Sequence, residues 1–151
     1  MKKSQFYKCI SLTFGALLAS TTILNADLVR DDNTEIVTDT YTHLQWQDNA
    51  QSKDSKVWED SIGYCEDLDL GGYDDWRLPN IIELLSIMDD TKVEPAIDSK
   101  FKNVVQTDYW TSTTRESDTK VAYIVNFKNG ESYFMFKTYD APVRCVRDDE
   151  E

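Results

Sequence analysis

Cysteine placement constrains this chain more tightly than any other feature. Three cysteines occur, Cys9, Cys65 and Cys145, and the first lies in a segment built like an export leader. Lys2, Lys3 and Lys8 form a basic start, "CISLTFGALLASTTIL" follows as a short apolar run, and "LNA" ends at Ala26 as a cleavage site. Residues 1–26 are expected to be a signal peptide. Cys9 stands too early to carry a lipid anchor, and Ser and Thr interrupt the apolar run too often for a membrane span. No stable membrane anchor is expected after cleavage. Residues 27–151 then form a single domain in an oxidising compartment, periplasmic or extracellular, with Cys65 and Cys145 as its only thiols. One disulfide between them is expected. It closes a loop of 80 positions, which chain entropy converts to about 4.5 kcal/mol, comparable to the stability margin of a small domain.

Hydrophobic periodicity says what the bridge joins. In "VWEDSIGYCEDLDL", Trp58, Ile62, Cys65 and Leu68 recur at helical spacing, so Cys65 lies on the buried face of a first helix. Gly71 and Gly72 follow as its stop. Asn80, with Glu83 three residues on, forms a capping box for a second helix whose inner stripe is Ile81, Leu84, Leu85 and Met88. "EIVTDTYTHLQWQDN" reads as one or two short strands and "DYWTSTT", with Trp110, as another. "KVAYIVNFKNGESYFMFK" reads as a hairpin turning at Asn129-Gly130, and "PVRCVR" as a final strand carrying Cys145. The expectation is an α+β domain: two helices, a small twisted antiparallel sheet, and a disulfide from the first helix to the last strand.

Charge narrows the partners. Lys2, Lys3 and Lys8 leave with the leader, so 13 of the 16 basic residues remain against 28 acidic ones and the net charge moves from −12 to −15. A body this acidic is repelled by phosphate backbones, so nucleic acid is not an expected partner.

The ordered set "DTYTHLQWQD", "YCEDLDLGGYDDWRLPNIIELLSIMD", "PAID", "YWTSTT", "VNFKNG" and "VRCVR" resembles the C-terminal domain family of Lcl, the collagen-like adhesin, over about residues 34–147. The resemblance implies a C-type lectin-like fold, related also to formylglycine-generating enzymes, in which a disulfide ties first helix to last strand. It also implies a positive-φ turn at His43, where relatives commonly carry Gly and His is tolerated.

Catalysis finds little support. His43 is the sole histidine and a turn residue on this reading, and both thiols are committed to the bridge, so no Ser-His or Cys-His device is expected. The formylglycine-generating chemistry needs reactive cysteines and does not carry over with the fold. No cofactor is expected. Lectin-type calcium tripeptides, Glu-Pro-Asn or Gln-Pro-Asp, are absent, and no metal ligand is assigned.

The run Asp75, Trp76, Arg77, Leu78 and Pro79 admits two readings. In one, Trp76 is a sugar-stacking platform and Arg77 a carboxylate clamp. In the other, which we prefer, the run is scaffold: Trp76 packs near the disulfide, and Arg77 bonds loop carbonyls with Asp74 or Asp75 as charge partner. Ligand contacts are then expected in unmarked loops: 91–107, "TRESDTK" after the Trp110 strand, and the Asn129-Gly130 tip. The expected function is a secreted recognition or adhesion module for a glycan or cell-surface protein. A hydrolase with an unrecognised site is the alternative.

Overall fold

The computed structural model describes residues 27–149; the leader assigned to 1–26 lies outside them. Nine strands and two helices occur in the order β1 Leu28–Asp31, β2 Ile36–Asp39, β3 Leu44–Gln47, β4 Ser55–Lys56, α1 Trp58–Glu66, α2 Ile81–Ser86, β5 Asp108–Thr114, β6 Val121–Asn126, β7 Ser132–Phe136, β8 Ala141–Pro142 and β9 Val146–Asp148. The domain is α+β and its strand pairs are antiparallel. Three sheets replace the single small sheet expected: β1-β2-β3-β9, β4-β8 and β5-β6-β7. The expected final strand is broken, because β8 and β9 pair with different partners and residues 143–145 cross between them.

The β5-β6-β7 sheet has a core on each side, a direct result of strand alternation. Tyr109 and Val125 join Leu84 and Ile87 in one cluster, while their chain neighbours Trp110 and Ile124 join Cys65, Trp76 and Cys145 in the other. Cys65 and Cys145 are bonded, with Cα atoms 5.5 Å apart, so α1 is tied to the residue that leads into β9.

Several local expectations shift. α1 ends at Glu66 with Asp67 as its cap in right-handed conformation, so the glycine pair is not the helix stop. Gly71 and Gly72, at φ +66° and +85°, instead form the tight turn in which Leu70 faces Tyr73. A Cβ on Gly71 would lie 2.5 Å from Ile36 Cδ1, so this turn sits directly against β2. The β6–β7 loop is also longer than an Asn-Gly two-residue turn: Gly130 N–H donates to Asn126 O, and Asn126 N–H to Glu131 O. Phe127, inside that loop, is fully buried. The helix cap holds as read: Asn80 Oδ1 accepts from Glu83 N–H at 2.9 Å and Glu83 Oε2 from Asn80 N–H at 2.8 Å. His43 has φ 55°, the left-handed turn that comparison with a glycine implied.

Candidate functional site

The Asp75–Pro79 run is extended rather than a simple helix-to-helix turn. Arg77 N–H and O bond Val146 O and N–H at 2.8 and 2.9 Å, adding one residue to the flank of β9. This alternation sends Trp76 and Leu78 inward, at 2% and 5% exposure. Trp76 Nε1 donates to Tyr73 O at 3.1 Å, and Trp110 Nε1 to Lys56 O at 2.9 Å. Trp110 is wholly buried, and Pro79 O accepts from Ser112 N–H at 2.8 Å. None of these indoles presents a face to solvent.

Arg77 differs from expectation. Its guanidinium makes a two-pronged contact with Glu83 at 2.8 and 3.0 Å and reaches Asp148 at 3.3 Å, while Asp75 pairs with Arg147 at 2.6 Å. The reason is the alternation just described: Asp75 and Arg77 flank inward-facing Trp76, and Arg77 lies beside its own capping box. The Arg147 guanidinium holds the Asp75 carboxyl below the usual carboxylate range.

The buried charge lies elsewhere, in residues the sequence reading did not single out. Asp48, with no side-chain exposure, accepts from Arg144 Nη1 at 2.8 Å, Arg30 Nη1, and the N–H groups of Lys102 and Asn103 at 2.8 and 3.1 Å. Arg144 also donates to Gln47 O and Asn103 O. Full burial pushes its guanidinium down to about 10, still charged at neutral pH. This knot fastens β1, β3, the approach to β9 and the irregular 98–105 segment together. A carboxylate with every lone pair occupied is no base or metal ligand, so the knot is structural.

A surface hollow of about 400 Å³ opens between the start of α1 and the end of β7, lined by Val57, Trp58, Glu59, Lys137 and Thr138. Trp58 N–H donates to Lys137 O at 3.1 Å, and Trp58 Nε1 to Thr111 O at 2.8 Å, which fixes the indole. Lys137 Nζ lies 3.5 Å from the indole centroid and donates to Thr114 Oγ1 at 2.8 Å. Lys120 O accepts from Lys137 N–H at 2.9 Å, while Arg115 stacks over Phe134 at 4.0 Å on the opposite face of the sheet. Among the described residues Lys137 makes no ion pair, as is also true of Lys53, Lys56, Lys100, Arg115 and Lys120. In so acidic a chain, an ammonium held over an indole without a carboxylate partner is a local exception to the bulk charge.

The motif-bearing segments lie between β2 and β9. The family model of the Lcl C-terminal domain matches residues 35–147, the span from the start of β2 into β9. The chain belongs to the Lcl C-terminal domain family. No curated protein matches it. Membership ties it to an adhesin-related module, and the family span encloses the disulfide, the Trp76 run and the hollow alike.

Of the loops expected to hold ligand, "TRESDTK" does not line the hollow and meets its rim only through the backbone bond from Lys137 N–H to Lys120 O. The other two meet each other: Glu94 N–H bonds Lys128 O at 2.8 Å and Ala96 N–H bonds Phe127 O at 2.8 Å. Among the described residues, no three His, Cys, Asp or Glu side chains gather to hold a metal, and no helix is long and apolar enough to cross a membrane. The hollow itself left a faint trace in sequence: "FKTYD" places a lysine among aromatics, but its indole partner lies 79 positions earlier at Trp58.

Proposed function

We propose that this Lcl C-terminal domain is a secreted recognition module of lectin-like architecture, and that it takes a glycan or surface-protein group in the hollow between Trp58 and Lys137. The observation that carries this is the ordered indole with an unpaired ammonium 3.5 Å over its ring. An indole supports the apolar C–H face of a sugar ring, and an adjacent cation favours a negatively charged or strongly polar substituent on it. Bulk charge argues against an extended polyanion. At physiological salt, however, fields fade over about 8 Å, so a single anionic group at Lys137 is governed by its immediate neighbours. The tie between helix and last strand supports the lectin-like reading, and the disulfide supports export.

The test is a glycan and surface-protein array probed with the purified protein, followed by Lys137→Ala. Binding that falls at least tenfold in Lys137→Ala, with an unchanged melting temperature, supports the hollow as the site. Silence of the whole array at tens of micromolar overturns it.

A further inference from the structure

The outer edge of β7 is bare, and its sequence is self-complementary. The register of β6 with β7 pairs Val121 with Phe136 and Val125 with Ser132. The bonds Lys137 N–H to Lys120 O and Asn126 N–H to Glu131 O fix which residues face β6: the odd-numbered residues 131 to 137. Alternation turns the backbone groups of Ser132, Phe134 and Phe136 away from the sheet. β7 is the terminal strand of its sheet. The outward groups make no bond among the described residues except Phe136 O, which accepts from Tyr139 N–H.

Exposed edges in monomeric proteins are guarded by lysine, proline or a bulge. Residues 132–136, Ser-Tyr-Phe-Met-Phe, contain no charge and no proline. Instead Tyr133, Phe134 and Phe136 are 41%, 44% and 52% exposed.

We propose that the partner of this edge is β7 of a second copy of the chain, paired antiparallel about a two-fold axis at Phe134. Outward groups can bond only to outward groups, so even-numbered residues must oppose even-numbered ones. Centring on Phe134 places Phe134 opposite itself and Ser132 opposite Phe136. The same register sets Met135 opposite Tyr133 on the other face and Glu131 opposite Lys137. Aromatic and apolar pairs then fill the centre, the pairings that stabilise antiparallel strands. The two three-stranded sheets become one six-stranded sheet with a closed, isologous interface. A neutral stripe is also where two bodies of such negative charge meet with least repulsion. A strand from an unrelated protein would need this complementarity by coincidence; a second copy carries it by symmetry.

Sedimentation of the purified protein over a concentration series reads the pairing, independently of any ligand assay. The expected result is a reversible monomer–dimer equilibrium, weak because five residues per strand bury little area. Phe134→Cys should oxidise to a covalent dimer, because residues opposed in a bonded antiparallel pair lie within disulfide reach, whereas Tyr139→Cys should not. Ser132→Pro removes only an outward N–H, so it should abolish dimerisation while the melting temperature holds. A protein that stays monomeric to about 1 mM, or a dimer that survives Ser132→Pro, overturns the proposal.

Discussion

Arg144, Arg147 and Arg77 stand within one small region yet have unlike surroundings, and burial decides what each is worth. Arg144 has no side-chain exposure and lies against the equally buried Asp48. Arg144→Ala should cost about 3–5 kcal/mol in a denaturant melt, because it strands a carboxylate whose other partners cannot replace it fully. Arg77 keeps 39% of its side chain exposed. Arg77→Lys should therefore change stability by less than about 1 kcal/mol, whereas Arg147→Lys should cost more, since Arg147 has 6% side-chain exposure and bonds both Asp75 and Gln45. Trp76→Ala should cost about 3–5 kcal/mol, as other buried aromatic truncations do. Comparing the four melts tests the ranking directly. Trp76 was legible in the sequence as a large residue ahead of a capped helix. The arginines were not: a charged residue in a terminal strand ordinarily reads as exposed, and nothing local marks Asp48, 96 positions away, as the partner.

Elements with local causes were read well, and elements defined by distant pairing were not. The capping box depends on residues three apart, so Asn80→Ala should remove about 1 kcal/mol by the same melt. The strand at 108–114 and the β6–β7 hairpin follow from alternation and turn residues. β1 escaped notice because "LVRD" is short and polar, and it exists by virtue of pairing with β2. The breaking of "PVRCVR" into β8 and β9 reflects two separate partners, β4 and β3, neither visible in the segment itself. The hollow followed the same rule: its indole wall comes from α1, 79 positions before Lys137.

Across the whole molecule, the disulfide and the carboxylates set the conditions under which the fold survives. Reduction, or Cys65→Ala, should lower stability by up to about 4.5 kcal/mol, seen as a lower denaturation midpoint. Acid acts in a predictable direction. Asp75 is held down by Arg147, Asp32 by Lys102 and Asp89, at about 2, by Lys92. Each contributes stability that is fully present above the ordinary carboxylate pKa near 4 and is lost as pH falls toward the lower folded value. Melting temperature should hold between about pH 5 and 7 and fall below about pH 4, and Asp75→Asn should flatten part of that slope.

The pairing of β3 with β9 also sets a schedule. The last strand supplies the fourth edge of the first sheet, Cys145 for the bridge and, just before it, Arg144 for the buried knot. Until those residues have been synthesised, the earlier strands have an open flank, Asp48 lacks an arginine and the Trp76 cluster lacks Val143 and Cys145. Folding of this domain must wait for β9, a pattern that distant contacts make slow. A nascent chain halted near residue 140 should remain open to protease, whereas one released past β9 should become resistant. A domain whose first sheet, bridge and buried knot all close with β9 cannot complete its fold while that strand is still to be made.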